Sequence, residues 1–211
     1  MIVILFSDDF LAMSNSLPQA IIQKTGDHIM GCLCVFAGAA TGQSQNYMSQ
    51  SYQLGEELAK AGHSFIYGGG RTGLMGSFAD GVISQKGHIH GIIPAFLEDR
   101  EVAHKGVTQL TITESMHERK TLMYEPADGF LILPGGLGTL DETMEVLTWR
   151  QLNKLDGPVF TFSIDGYWEP MRSLLSHIEA QGFANTGGLD TIYWHNHIDT
   201  LVEHCNKLLL K

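Results

Sequence analysis

Cysteine is scarce in this chain, with three residues among 211. Cys32, Cys34 and Cys205 cannot all pair, which excludes a closed disulfide framework, and Cys32-x-Cys34 lies in an apolar strand pattern rather than at a metal-ligand spacing. This usage is typical of a reducing compartment, so we expect a cytoplasmic protein.

Basic residues are also few. The chain has 13 lysines and arginines against 23 aspartates and glutamates, giving a formal net charge of −10, and no basic cluster interrupts this balance. Such a chain is repelled by a polyanion, so we expect no nucleic acid partner. Any phosphate group must then be bound by local groups.

No long apolar run is present at the N-terminus. Residues 1–6 are apolar, but no basic residue precedes them, and Asp8 and Asp9 end the run. We expect neither a signal peptide nor a membrane partner. Residues 1–29 show no clear period and are interpreted as an N-terminal extension, either a partly ordered arm or the product of an upstream start. Residues 30–211 are predicted to form a single domain.

Several catalytic signatures are missing as well. There is no G-x-S-x-G, which argues against a serine hydrolase of that type. The pairs His88-x-His90 and His195-x-His197 lack an evident third ligand, so we expect no metal. A pyridoxal-phosphate enzyme needs a Schiff-base lysine, and only Lys120 lies near the site described below, next to Arg119 in a polar setting. We therefore expect no cofactor.

What the chain does contain is a regular alternation of short apolar strands and amphipathic helices. This alternation predicts an α/β fold, a doubly wound Rossmann-like parallel sheet with helices on both faces. The predicted strands are 32–36, 64–67, 89–93, 108–112, 129–133 and 159–163, and the predicted helices are 45–61, 72–85, 115–125, 139–153, 167–181 and 199–210.

Ligands of such sheets bind at the carboxyl ends of the strands, where four loops should converge. These loops are 38–42, 68–73, the segment before Met116, and 134–139. The second contains Gly68-Gly-Gly-Arg-Thr-Gly73, which formally satisfies G-x-G-x-x-G. It lacks an acidic residue about 20 positions further on, so it is weak support for a dinucleotide.

The most informative segment is Pro134-Gly-Gly-Leu-Gly-Thr-Leu-Asp-Glu142, which follows an apolar strand and opens a helix. Unpaired backbone N–H groups and the helix dipole meet at such a loop, which suits a phosphate. A carboxylate near the start of a helix also interacts favourably with the helix dipole, so Glu142 could simply stabilise the helix. Its functional interpretation is a role on a sugar or on an attacking water.

The segment Ser115-Met-His-Glu-Arg-Lys120 begins another helix with a capping-box pattern. Its charged residues could be a solvated face. Their location at the end of a strand, beside the glycine loops, favours a functional role instead. Arg119 could then bind a phosphate or a carboxylate bidentately, and Lys120 would act as a point charge.

These two segments together resemble the paired signature of the Lonely guy (LOG) family, cytokinin riboside 5′-monophosphate phosphoribohydrolases that are often labelled as lysine decarboxylases. The similarity runs from about Gly31 to the C-terminus and includes Tyr67-Gly-Gly-Gly-Arg-Thr-Gly-Leu-Met-Gly76, Gly91-Ile-Ile-Pro94 and Glu101-Val-Ala-His104. The resemblance implies a Rossmann-like fold, a homodimer, and hydrolysis of the N-glycosidic bond of AMP or N6-substituted AMP to a free base and ribose 5-phosphate.

The resemblance also implies roles for individual residues. Arg119 and Glu142 match the family's catalytic pair. The substrate-binding positions that match are Met116, Lys120, Gly135, Gly136, Gly138, Thr139 and Gly70. The chain departs from the family at Gly38-Ala-Ala40, where a serine pair is common, so Thr41 or backbone amides would have to replace those hydroxyls.

Three questions stay open at this point. Arg119 could meet the phosphate or Glu142. The substrate could be AMP itself or an N6-modified form. A non-enzymatic nucleotide-binding protein is the alternative to an enzyme, and a lysine decarboxylase is a third candidate that no residue pattern supports.

Overall fold

The structure, a computed structural model, describes residues 30–184, 189 and 191–210, and the predicted N-terminal extension lies outside these residues. The described part contains seven strands: β1 (Cys32–Phe36), β2 (Ser64–Tyr67), β3 (Ile89–Pro94), β4 (Gln109–Thr113), β5 (Gly129–Ile132), β6 (Val159–Phe162) and β7 (Ile192–His195). The helices named here are α1 (Gln45–Lys60), α2 (Gly73–Ser84), α3 (Ala95–Glu101), α4 (Met116–Tyr124), α5 (Leu137–Gln151), α6 (Glu169–Ala180) and α7 (Ile198–Leu209), with a 3-10 turn at Ile164–Gly166.

The strands form one parallel sheet in the order β4-β3-β2-β1-β5-β6-β7. The order reverses between β1 and β5, which makes this the switch point of a doubly wound fold. The predicted fold class is confirmed. Ligands of such folds bind beyond the carboxyl ends of the strands at the switch point.

Two hydrophobic clusters cover the two faces of the sheet. In β1, Leu33 and Val35 belong to one cluster, and Cys34 and Phe36 belong to the other, as the two-residue period of a strand requires. The first cluster includes residues of α1, α2 and α7, and the second includes residues of α4, α5 and α6. Burial on both faces explains why the central strands are continuously apolar.

Two elements differ from the sequence prediction. Helix α3 follows β3 directly, with Pro94 as its N-cap residue, and β7 extends the sheet beside β6 from Val159↔Ile192 to Phe162↔His195. The sequence prediction missed both. The other predicted elements are present, with ends that differ by at most a few residues.

The loops after β1 and β5 are hydrogen-bonded to each other at the switch point. The N–H of Gly38 donates to the carbonyl of Pro134 at 3.0 Å, and the N–H of Met75 donates to the carbonyl of Gly38 at 3.2 Å. Gly73 has a φ of +59°, and a side chain at this position would collide with the backbone of Ala39 and Ala40. The start of α2 is therefore packed tightly against the loop after β1.

Among the residues that the structure describes, none of the helices combines the length and the apolar character needed to cross a bilayer.

Candidate active site

A cavity of about 490 Å³ opens at the switch point, a volume suited to a small ligand. It lies between the loops that follow β1 and β5, and the starts of α2 and α5 border it. Six of the residues singled out from the sequence line it: Arg119, Gly135, Gly136, Gly138, Thr139 and Glu142.

One side of the cavity is the N-terminus of α5. Gly136 is the N-cap residue, and because glycine has no side chain it makes no side-chain capping hydrogen bond. Apart from neighbouring residues of the chain, no atom of the described residues lies within 4 Å of the place where a Cβ of Gly136 or Gly138 would stand, whereas a Cβ at Gly135 would collide with the side chain of Thr139. The first turn of α5 therefore presents backbone N–H groups and the positive end of the helix dipole to open space, the arrangement that binds anions.

Arg119 of α4 and Glu142 of α5 meet at another side of the cavity. The Nη2 atom of Arg119 lies 3.4 Å from the Oε1 atom of Glu142, and these side chains are only 7% and 12% exposed. The Nε–H of Arg119 also donates to the carbonyl of Ile92 at 3.3 Å, at the end of β3. Of the two partners left open by the sequence, Arg119 contacts Glu142 in this structure.

The start of α4 explains how Arg119 is placed. The hydroxyl of Ser115 accepts from the N–H of Glu118 at 3.1 Å, and the carboxylate of Glu118 accepts from the N–H of Glu114 at 2.9 Å. The cap predicted from the sequence is present, although its second bond goes to Glu114 rather than to Ser115. This cap fixes the first turn of α4, and Arg119 follows one turn later on the buried face.

Lys120 points to a different set of groups. Its ammonium lies 3.0 Å from the carboxylate of Asp141 and 2.8 Å from that of Glu145, and the hydroxyl of Tyr124 donates to Glu145 at 2.9 Å. Burial lowers the pKa of Lys120, but the hydrogen bonds to Glu145 and Asp141 outweigh it, so the pKa is raised. Lys120 does not line the cavity. A raised pKa keeps the amine protonated, and the protonated amine is not the nucleophilic form that attacks to make a Schiff base.

Met116 and Gly70 do not line the cavity either. The Sδ atom of Met116 lies 3.8 Å from Nη1 of Arg119, and Gly70 forms an isolated antiparallel bridge with Ala103. Of the four loops expected to converge, those after β1 and β5 line the cavity directly. The 68–73 loop lies behind Arg119, where Gly68 leaves room for the guanidinium.

The loop after β1 contributes mostly backbone. Ala39 and Ala40 line the cavity and carry no hydroxyl, and the hydroxyl of Thr41 donates to the carbonyl of Gly42 at 3.3 Å outside it. Of the residues around the two substitutes predicted for the family's serine pair, Ala39 and Ala40 lie at the cavity and Thr41 does not, so replacement of the hydroxyls by backbone amides stays a prediction.

Sequence reasoning missed four large side chains that line the cavity: Tyr47, Leu74, Met75 and Tyr167. The rings of Tyr47 and Tyr167 meet edge to face, with centroids 5.7 Å apart. The hydroxyl of Tyr167 donates to the carbonyl of Gly135 at 2.6 Å. The one available signal was the position of Tyr167 after β6, close to the carboxyl end of a strand.

No group of three or more histidine, cysteine or acidic side chains suited to a metal is found in the described ranges. Likewise, no lysine is present among the described residues that line the cavity.

Comparison with known proteins supports the Rossmann-like fold and shows the family. The family model described as "Possible lysine decarboxylase" matches residues 75–205. The chain is 40% identical over 151 residues to the cytokinin riboside 5′-monophosphate phosphoribohydrolase LOG of rice (Oryza sativa subsp. japonica), and 37% identical over 162 residues to LOG4 of Arabidopsis thaliana. The matches cover 72% and 77% of this chain. The chain therefore belongs to the LOG family, whose family model is described as "Possible lysine decarboxylase". This confirms the resemblance seen in the motifs.

The match to rice LOG spans 62% of that protein, and the match to Arabidopsis LOG4 spans 75% of it. Solved structures of similar fold include the Moco carrier protein of Chlamydomonas reinhardtii, with a TM-score of 0.65 and 16% identity, covering 85% of this chain and 98% of the other. Another is the molybdenum cofactor binding protein of Rippkaea orientalis, with a TM-score of 0.60 and 19% identity, covering 84% and 96%. At this identity the two similarities show the fold alone.

Proposed function

We propose that this protein hydrolyses the N-glycosidic bond of a nucleoside 5′-monophosphate, AMP or N6-substituted AMP, and releases the free base and ribose 5-phosphate. The names of its relatives support this class of reaction. The observation that carries the proposal is the buried Arg119–Glu142 pair, which lies in the same cavity as the uncapped start of α5.

The start of α5 is the proposed phosphate site. A chain with a net charge of −10 repels anions at long range, so a phosphate needs a local group of donors. The cavity is open beside Gly136 and Gly138, and the backbone amides at the start of a helix supply such donors without a side-chain charge.

Glu142 is proposed to act on the sugar. It lies six residues after the N-cap residue Gly136, which corresponds to about 9 Å along the helix axis. A nucleotide whose phosphate binds the first turn would therefore extend its ribose toward this carboxylate. Glycosidic cleavage passes through an oxocarbenium-like state, which a carboxylate stabilises while it orients or deprotonates the attacking water.

Arg119 is proposed to position this carboxylate and to supply positive charge. Burying an unpaired carboxylate is costly, and the guanidinium at 3.4 Å offsets part of that cost. The bond from Nε to the carbonyl of Ile92 fixes the orientation of the guanidinium plane.

The remaining expectations rest on the family resemblance and on composition. A homodimer is expected, and sedimentation that shows only a monomer would contradict it. Leu147 of α5 is buried within the protomer, whereas Met144 and Trp149 are half-buried, so the latter two could contribute to a subunit contact. The cytoplasmic location is expected from the cysteine usage.

The proposed activity is tested by incubating the purified protein with AMP and with N6-isopentenyl-AMP, and by following free base and ribose 5-phosphate chromatographically. The corresponding ribosides, which lack the phosphate, are the matched controls. We expect release from at least one nucleotide and poor release from both ribosides. A nucleotide that binds without base release would indicate a binding protein instead.

A further inference from the structure

The hydroxyl of Tyr167 makes a short hydrogen bond to the loop that forms the proposed phosphate site. It donates to the carbonyl of Gly135 at 2.6 Å, across 32 residues of chain. In a planar trans peptide the C=O and N–H groups point in opposite directions. A bond that fixes the Gly135 carbonyl therefore also fixes the direction of the Gly136 N–H, one of the donors at the start of α5.

This bond also has an electrostatic consequence. A carbonyl oxygen carries partial negative charge and would repel a phosphate if it turned into the cavity. The phenol of Tyr167 satisfies the Gly135 carbonyl and holds it on the Tyr167 side. The hydrogen bond from the phenol thereby reduces the repulsion that this oxygen would exert on an anion in the cavity.

Tyr167 is itself held in place by its neighbours in the chain. Trp168 is buried, its backbone N–H donates to the hydroxyl of Ser163 at 2.9 Å, and its ring meets that of Tyr167 edge to face at 4.8 Å. The N–H of Ser163 donates to the carbonyl of His195 at 2.7 Å, at the end of β7. The segment is thus fixed to the sheet immediately before the tyrosine.

A second group of contacts ties this segment to α1. The carboxylate of Asp165 accepts from the hydroxyl of Ser44 at 2.7 Å and from the side-chain amide of Asn46 at 3.1 Å. Ser44 is the N-cap residue of α1, so these contacts join the turn after β6 to the helix that follows the β1 loop. Asp165 has a φ of +51°, a left-handed conformation that aspartate and asparagine tolerate better than most residues.

We propose that Tyr167 is a positioning residue for phosphate recognition, which sets the orientation of the Gly135–Gly136 peptide and is supported by the contacts of Asp165 with α1. This inference deepens the proposed function and rests on it in one respect, namely that the ligand carries a 5′-phosphate. Tyr167 acts through the loop, and its effect is therefore on binding of the phosphate.

The test compares Tyr167→Phe with Tyr52→Phe in the full chain. The first variant removes the hydroxyl and keeps the ring against Tyr47 and Trp168. Tyr52 lies on α1, is 36% exposed and does not line the cavity, so its variant is the matched control. The dissociation constants of AMP and of adenosine are measured by calorimetry, together with KM and kcat for AMP and the unfolding temperature.

Loss of one hydrogen bond of this kind should weaken AMP binding about five- to tenfold. We expect Tyr167→Phe to raise the dissociation constant and KM for AMP by this factor, with a much smaller change in kcat and no change for adenosine. Tyr52→Phe should resemble the wild type. Asp165→Asn replaces one acceptor oxygen by a donor and keeps the left-handed conformation, so it should shift AMP binding in the same direction by a smaller factor.

Unchanged AMP binding in Tyr167→Phe would overturn the inference, as would an equal loss of AMP and adenosine affinity. A wild-type protein that binds AMP but releases no base from AMP or from N6-isopentenyl-AMP would contradict the proposed activity, and the comparison of dissociation constants would still decide the role of Tyr167. A wild-type protein with no preference for AMP over adenosine would overturn the phosphate site and the inference with it.

Discussion

The guanidinium of Arg119 occupies the space that Gly68 leaves open. A Cβ at position 68 would collide with the Nη2 atom of Arg119 and would lie 3.3 Å from the Sδ atom of Met75. The glycine at the end of β2 is therefore needed for packing against the buried arginine. This relationship gives the first glycine of Gly68-Gly-Gly-Arg-Thr-Gly73 a role other than contact with a dinucleotide.

Replacing Gly68 with alanine should therefore displace Arg119. Gly68 is not among the glycines with positive φ, so its backbone conformation is accessible to alanine and the effect should be steric. We expect Gly68→Ala to destabilise the protein by about 1–3 kcal/mol and to lower activity on AMP. Urea denaturation and steady-state kinetics measure the two effects.

A double-mutant cycle separates this collision from a general packing defect. Arg119→Ala alone leaves Glu142 buried without its guanidinium partner and should cost about 3 kcal/mol. In the Arg119→Ala background the methyl group added at position 68 has room, so Gly68→Ala should cost much less there than it does in the wild type. Additive effects would show that the two residues do not interact as described.

Lys120 offers a second test. The family resemblance implies that Lys120 binds the nucleotide, whereas its contacts in the structure indicate that it stabilises the fold through ion pairs. The ion pairs with Asp141 and Glu145 lead us to expect that Lys120→Met lowers stability and leaves KM for AMP within about twofold. Glu145→Gln in the same background should recover part of the lost stability, since it removes one of the two carboxylates that have lost the ammonium. A KM raised tenfold or more would instead support direct nucleotide binding by Lys120.

The fold was largely predictable because the central strands are buried on both faces and end in glycine-rich loops. Cys32–Phe36 and Gly129–Ile132 show this pattern and form the two strands at the switch point. The strand Ile192–His195 was missed because it lies at the edge of the sheet and is mostly half-buried, so it lacks a continuous apolar run. Helix Ala95–Glu101 was missed because it follows β3 with no intervening loop.

The site was predictable only in part. The Pro134–Glu142 segment and Arg119 carry chemistry that a sequence displays, and the structure brings them to one cavity. The contact of Tyr167 with Gly135 depends on the sheet order, which places β6 beside β5, and a tyrosine in isolation gives no indication of it. The partners of Lys120 were missed for the same kind of reason, since Asp141 and Glu145 become its neighbours only when α4 packs near α5.

Stability should also depend on pH through His90. This side chain is buried in β3, and burial, together with the neighbouring His88, lowers its pKa to about 4. Its ordinary pKa is about 6.5, so between these two values the unfolded chain binds a proton that the folded protein does not. The protein should therefore lose stability as the pH falls through this window, by about 2 kcal/mol between about pH 7 and about pH 4.5.

His90→Gln isolates this contribution, because glutamine does not titrate and can still reach the hydroxyl of Thr111, which lies 2.8 Å from Nε2 of His90. Urea denaturation at both pH values should show a smaller loss of stability on acidification for the variant than for the wild type. Equal losses in the two proteins would mean that His90 does not titrate differently on folding.

The most direct test of the proposed mechanism compares the rate of base release by the wild type, Glu142→Gln and Asp141→Asn. The substrate is AMP, or N6-isopentenyl-AMP if the wild type hydrolyses it faster. Glu142 lines the cavity beside Arg119, whereas Asp141 is its neighbour on α5, is 68% exposed and does not line the cavity. We predict that Glu142→Gln loses activity on the order of 10²-fold or more while still binding the nucleotide, and that Asp141→Asn keeps most of it. Base release by Glu142→Gln at the wild-type rate would contradict the role assigned to this carboxylate and to its pair with Arg119.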